Sequence, residues 1–176
     1  MNLVSILFIF VIVSHDKQCP NSSAKEFSFG DTIPSSRQTY QSGFYLLTAD
    51  TTNSYGMKVV NKDEYYFVDS IPIISIIYID STYKQFDKYN SRFELVFTFN
   101  HTGTRIWSDF TWKNTNRTVG LIIKNQLVNA ARIQGQIPTG ITSLTGLSSE
   151  KEADELISII DEEINRVRKE AKKSYR

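Results

Sequence analysis

The chain has 176 residues, 20 basic and 19 acidic side chains, a formal net charge of +1 and a single cysteine. That length supports one domain with terminal additions, whose core needs no metal or disulfide to close. The near-zero charge excludes a field that would gather nucleic acid or an anionic membrane surface, and Cys19 alone excludes an intramolecular disulfide and every multi-cysteine metal site. No cofactor and no nucleic-acid partner are expected.

Leu3 to Val13 is an almost unbroken apolar run of about eleven residues. It is short of the ~20 that a bilayer-spanning helix needs and within the range of a signal-peptide core, so residues 1–18 read as a signal peptide. No Lys or Arg precedes the run and the small-residue pattern after it is poor, with Ser14 the best cleavage candidate. Cys19 is a candidate for lipidation. Asp16, Lys17 and Gln18 before it do not form a small-residue lipobox, so an unmodified cysteine stands beside that reading. Residues 19–42 are rich in Ser, Asn, Thr and Gln and read as a flexible leader.

The folded domain is read as residues 43–176. Phe44 to Ala49 is a short apolar run after Gly43, expected as a strand. Met57 to Val60 and Tyr65 to Val68 flank Asn61-Lys62-Asp63 and suggest a hairpin. Ile73 to Asp80, after Pro72, is dense in β-branched and aromatic residues and predicts a strand entered at an edge, followed by Ser81 to Ser91, which is polar and aromatic by turns. In Arg92 to Asn100, Phe93, Leu95, Phe97 and Phe99 alternate with Glu94, Val96 and Thr98, the period of two expected of a sheet packed on one side. A helix follows from about Gly103, with Ile106, Trp107, Phe110 and Thr111 at helical spacing, and ends at Asn114 to Asn116. Trp107 and Trp112 could be taken for a ligand-stacking pair, but they do not share a face, which predicts core packing for the first and partial exposure for the second.

From Gly120 to Leu156 come an apolar strand, the polar turn Lys124-Asn125, a second strand, a Gly-jointed hairpin over Ile133 to Thr145, and a helix. Ser149 and Glu152 have capping-box spacing, and Ala153, Leu156, Ile157, Ile160, Ile164 and Val167 trace one apolar stripe. The basic run Arg166 to Arg176 reads as a solvated helix end, with a partner-binding patch as the alternative. The fold class is therefore α+β, a mostly antiparallel sheet with two main helices packed on one face. Chemistry has no foothold: His15 and His101 have no partner at a metal-ligand spacing, and there is no phosphate loop, nucleophile elbow, Cys/His pair or paired carboxylates. An enzyme is not expected.

From Glu94 to Leu156 the chain resembles the extracytoplasmic head of the protein-export membrane protein SecD. In that family a polar link ending in Gly leads into a helix with an aromatic and a Thr, matched here by Gly103, Trp107 and Thr111. Two strands about a tight turn follow, with Val128, Ala130 and Ile133 at the family positions, then Ile137 with Gly140, Thr145-Gly146, and a helix start matched by Ser149, Glu152 and Ala153. Lys124, Ala131, Thr139 and Ser148 depart from the family's turn Asp, Pro, Gly and aromatic. Asn125 and Gly140 still allow the positive φ that the turns need.

The resemblance implies an extracytoplasmic binding module, in the periplasm or cell envelope, that assists protein export or envelope assembly by contacting polypeptide or a translocase or envelope partner. The alternative is a structural envelope or lipoprotein domain that keeps the fold without an export role. No apolar run beyond Leu3 to Val13 is long enough to span a bilayer, so the family's proton-driven membrane helices have no counterpart and a free-standing or tethered copy of the head is expected. If Leu3 to Val13 is a signal core, intact-mass measurement on the fractionated protein will find a mature start between Ser14 and Cys19. An intact Met1 on cytoplasmic protein contradicts it, and labelled fatty acid that disappears in Cys19→Ser identifies a lipid anchor.

Overall fold

The computed structural model describes residues 39–48, 54–60, 62–147 and 149–174. The apolar run Leu3 to Val13, His15 and Cys19 lie outside the described residues. Nine strands and two helices follow in order: β1 Gly43–Thr48, β2 Ser54–Lys58, β3 Tyr65–Asp69, β4 Ile74–Ser75, β5 Ile79–Asp87, β6 Arg92–Phe99, α1 His101–Lys113, β7 Thr118–Ile123, β8 Gln126–Arg132, β9 Ile141–Leu147 and α2 Glu150–Ser174.

The antiparallel architecture expected from the sequence divides into two sheets. One runs β2-β3-β1-β7-β8 with β4 added on β1, and the other runs β5-β6-β9. Just past β2, Val59 bridges Leu127 of β8 and the Val60 N–H donates to the Leu127 carbonyl at 2.9 Å, so the larger sheet curls back on itself. Its concave side holds a core of Tyr45, Leu47, Met57, Val68, Ile122 and Leu127, joined by Tyr40 from ahead of β1. Alternate residues of the same strands, Phe44 on β1 and Val119, Leu121 and Ile123 on β7, enter a second core shared with the smaller sheet and both helices.

The hairpin predicted around Asn61-Lys62-Asp63 is present as β2 and β3, paired from Ser54↔Asp69 to Lys58↔Tyr65. The single strand predicted over Ile73 to Asp80 is not. Ile74 and Ser75 pair with the start of β1, the Ser75 hydroxyl caps a 3-10 turn over Ile76–Tyr78, and Ile79 opens β5. The break lets the chain cross from the larger sheet to the smaller one while Ile74, Ile76 and Ile79 all remain in the shared core. Ser81 to Asp87, to which the sequence assigned no element, forms most of β5. It is an edge strand whose Lys84 reaches Glu150 and Asp154 of α2, so polar contacts replace the apolar alternation that would have marked it.

β6 shows the expected alternation, with Leu95, Phe97 and Phe99 in the shared core, but the sheet is not packed on one side only: Glu94 and Val96 on the opposite face are each 4 % exposed. As the middle strand, β6 has Tyr83 of β5 and Ser143 of β9 in register on either side of Val96. α1 starts two residues earlier than predicted, at His101, because Asn100 is its N-cap and accepts the Gly103 N–H at 2.9 Å. Trp107 is fully buried against Phe44 and Phe99, with ring centroids 5.0 and 5.5 Å away, whereas Trp112 is 67 % exposed. α2 is capped by Ser149, whose hydroxyl accepts the Glu152 N–H, and buries Ala153, Leu156, Ile160 and Ile164 as the stripe predicted.

Glu163 of α2 is buried and accepts from the Ser42 hydroxyl at 2.5 Å and from two nitrogens of Arg166 at 2.7 and 2.8 Å. The Arg166 guanidinium, opposed by burial and aided by Ser42, holds the Glu163 carboxyl below the ordinary glutamate range. Its ionised form therefore stabilises the native state at neutral pH, and that contribution fades as pH falls through the depressed native value. Denaturant midpoints of wild type and Glu163→Gln should differ clearly at neutral pH and converge in strong acid; an equal gap at both would remove the charge from the account. Trp107→Ala should cost about 3–5 kcal/mol, and Trp112→Ala less than ~0.5 kcal/mol, in equilibrium unfolding.

Candidate functional site

Six of the residues singled out in the sequence meet at one place, the packing of α1 against the connection from β8 to β9. Gly103 is buried where a side chain would strike Tyr78 and Phe99, with a built Cβ 2.8 Å from the Tyr78 Cβ. One turn on, Trp107 fills the core; a further turn on, the buried Thr111 hydroxyl donates to the Trp107 carbonyl at 2.8 Å and accepts the Ile137 N–H at 2.9 Å. Ile133 and Ile137 both enter the shared core. Gly140 has φ +68 and presses on Thr104, so neither its conformation nor its space admits a side chain.

This segment is not the Gly-jointed hairpin that the sequence suggested. β8 belongs to the larger sheet and β9 to the smaller, so Ile133 to Gly140 is a crossover between sheets. Apolar periodicity is the same for a hairpin and a crossover; the Thr111 contact with the Ile137 N–H decides between them. The remaining motif residues stand apart. Val128 faces the shared core and Ala130 the core of the curled sheet, separated by a register shift between Leu121 and Ile122. Thr145 and Gly146 sit where the β6–β9 register shifts, with Gly146 at φ +86, and Ser149, Glu152 and Ala153 begin α2. His101 is exposed at the start of α1.

The crossover leaves a seam between the sheets. A cavity of about 20 Å³ in it is lined by Asn129 and Ala131 of β8, Thr142 and Ser143 of β9, and Phe97 and Trp107 beneath. β9 is an edge strand. The Phe99 N–H donates to the Gly140 carbonyl at 2.8 Å, and Phe97↔Thr142 and Val96↔Ser143 continue that register. In an antiparallel ladder so phased, the backbone groups of Ser143 point away from β6. The outer face of the same sheet carries Ile141, 38 % exposed, beside Thr98, and Tyr83, 44 % exposed, across Val96 from Ser143.

One buried acid, Glu94, lies in this face, with Asp87 on the same face of β5. Burial pushes the Glu94 carboxyl upward and Asp87 adds to the shift, with the Ser143 hydroxyl working the other way. The surface is thus apolar and hydroxyl-bearing around a buried acid. Among the described residues no group of three or more His, Cys, Asp or Glu could hold a metal ion, and no helix is long and apolar enough to cross a membrane. Sequence reasoning missed Tyr83, Asn129, Thr142 and Ser143, because polar or mixed residues on short strands carry no periodic signal of their own.

The model of the SecDF P1 head subdomain matches residues 51–162. Protein translocase subunit SecD of Rhodothermus marinus is 30% identical over 76 residues, covering 43% of this chain and 12% of that protein. SecD of Rickettsia typhi is 30% identical over 98 residues, covering 55% of this chain and 19% of that protein. The chain therefore spans less than a fifth of these curated relatives. A crystal structure of SecDF in a super-membrane-facing form superposes with a TM-score of 0.55 at 18% identity, covering 67% of this chain and 18% of that one. A structure of the membrane component SecDF that enhances protein export superposes at 0.53 and 15% identity, covering 68% of this chain and 62% of that one. The solved structures share the fold, and the model matches well over half the chain: this protein belongs to the SecDF P1 head subdomain family.

Proposed function

We propose that the chain is an extracytoplasmic SecD-head-like binding module, acting in the periplasm or cell envelope, that assists protein export or envelope assembly by contacting polypeptide or a partner complex. The observation that carries this reading is the edge strand β9, whose Ser143 backbone groups face outward beside the exposed side chain of Ile141, on a sheet whose outer face also exposes Tyr83 across β6. An extended peptide adds to such an edge through main-chain hydrogen bonds, which any sequence can supply, while the flanking apolar side chains add modest and tolerant affinity. Family membership and the SecD relatives support the role in export. Among the described residues no group of three or more His, Cys, Asp or Glu could hold a metal ion, and the sequence offers no nucleophile elbow or Cys/His pair, which favours binding over catalysis.

Ile137 is 4 % exposed and a charge there would disrupt the core, so the surface is tested at Ile141. The full chain is titrated with a reduced, unfolded client protein by fluorescence anisotropy, alongside Ile141→Glu. Binding in the micromolar range, weakened about five- to tenfold (~1–1.4 kcal/mol) by the substitution, is expected. Equal binding by both forms would remove the β9 face as the site. No binding at high micromolar client would favour the structural envelope domain instead.

A further inference from the structure

Lys58, Lys84, Lys124 and Arg166 each meet a carboxylate. At the end of the fold where α1 stops, three basic side chains do not. Arg117 Nη1 donates to the Asn114 Oδ1 at 3.3 Å, Arg132 Nε donates to the Asn116 carbonyl at 3.2 Å, and Lys113 closes the last helical turn. All three are exposed, and none has an ion-pair partner among the described residues; Asp109, one turn before Lys113, is the nearest acid along α1. The backbone fixes this gathering. The Asn116 N–H donates to the Ile133 carbonyl at 2.8 Å and the Ile133 N–H to the Arg117 carbonyl at 2.9 Å, so Arg132, distant in sequence, is carried to the helix end. Trp112 stands in the same turn and is 67 % exposed. It shares a helix side with Ser108, whose hydroxyl accepts from Gln136 of the crossover at 3.0 Å.

We propose that this patch docks the domain on an anionic phospholipid surface, with Lys113, Arg117 and Arg132 meeting headgroup phosphates and the Trp112 indole seated at headgroup level. The partner follows from charge complementarity. Cations already positioned by neutral amide and carbonyl oxygens have no carboxylate to give up, and a guanidinium fits a phosphate in bidentate fashion. Indole favours the membrane–water interface because its ring is apolar and its N–H polar. The net charge of +1 supplies no long-range field, so the attraction is local to the patch and confined to about 10 Å at ordinary ionic strength. A nucleic-acid strand instead calls for a row of cations and stacking rings along a groove, whereas this patch is compact and has one ring. None of these residues belongs to β9, so the inference goes beyond the polypeptide reading and stands or falls separately from it.

In the full chain, partition onto vesicles of phosphatidylcholine alone is compared with partition onto phosphatidylcholine mixed with phosphatidylglycerol. The apolar run Leu3 to Val13 is common to every form, so the increment that phosphatidylglycerol brings is the readout. It should fall about fivefold for each of Lys113→Gln, Arg117→Gln and Arg132→Gln, and raised salt should erase it. Lys172→Gln with Lys173→Gln, at the far end of α2, should leave it unchanged. Of the two tryptophans Trp107 is already buried, so a blue shift of emission on the anionic vesicles reports Trp112 and should vanish in Trp112→Phe. The proposal is overturned by the absence of a phosphatidylglycerol-dependent increment, by an increment that the three substitutions leave intact, or by an equal loss in the α2 variant. An unaltered chain whose emission does not shift on the anionic vesicles overturns it without recourse to any variant, as does binding of single-stranded nucleic acid or an acidic polypeptide with no vesicle partition.

Discussion

The hydrogen bond from the Ile137 N–H to the Thr111 hydroxyl is the constraint on which the two-sheet architecture rests. A chain that leaves one sheet and enters another must carry peptide groups through a region where no neighbouring strand can satisfy them, and each buried orphan is costly. Thr111 resolves this because a hydroxyl accepts and donates at once: it takes the Ile137 N–H and passes its own proton to the Trp107 carbonyl. Around it, the Asn116 N–H reaches the Ile133 carbonyl and the Ile133 N–H reaches the Arg117 carbonyl, so the departing strand is paired until it turns. The Gly103 and Gly140 positions follow from the same crowding, since α1 has to lie close to Tyr78 on one side and to the crossover on the other.

A second joint closes the opposite side of the fold. The Ser42 hydroxyl donates to Glu163 and accepts the Lys124 N–H at 3.1 Å, while Lys124 Nζ reaches Glu162 at 2.7 Å. The approach to β1, the β7–β8 turn and α2 are thereby tied through one buried carboxylate. Arg166 neutralises it in bidentate fashion and also holds Glu170, so the charge is compensated where it is desolvated. Farther along, the Arg168 guanidinium donates to the Ile79 carbonyl, anchoring the helix beside the start of β5. The long helix is thus held at three elements and contributes its apolar stripe to the shared core between them.

These joints bear on function because they leave two apolar side chains of the outer face partly open. Both helices and the larger sheet cover the inner side of β5-β6-β9, and the outer side keeps Tyr83 and Ile141 in partial contact with solvent. β9 ends in a register shift at Thr145 and Gly146, which twists the edge and shortens the length available for strand addition. An edge of that kind favours brief, sequence-tolerant contact over a permanent extra strand.

The sequence by itself determined the elements whose signal is local. The period of two in Phe93, Leu95, Phe97 and Phe99, the helical stripe of α2 with Ser149 as its cap, the Lys124-Asn125 turn, and the division of labour between Trp107 and Trp112 all depend on near neighbours along the chain, and all stand in the structure. Only the tertiary structure decided which strands share a sheet. The run of isoleucines from Ile73 to Ile79 is equally apolar as one strand or as a strand, a turn and a new strand, and it broke because Ser75 caps a turn that keeps three isoleucines in one core. β5 was invisible because on this edge strand Lys84 meets acids of α2 where an apolar side chain would have marked the period, and the segment Ile133 to Thr145 became a crossover because a hydroxyl 26 positions earlier takes the Ile137 N–H. Long-range pairing of this kind leaves no period in the chain, and the seam with its cavity exists only as the product of that pairing.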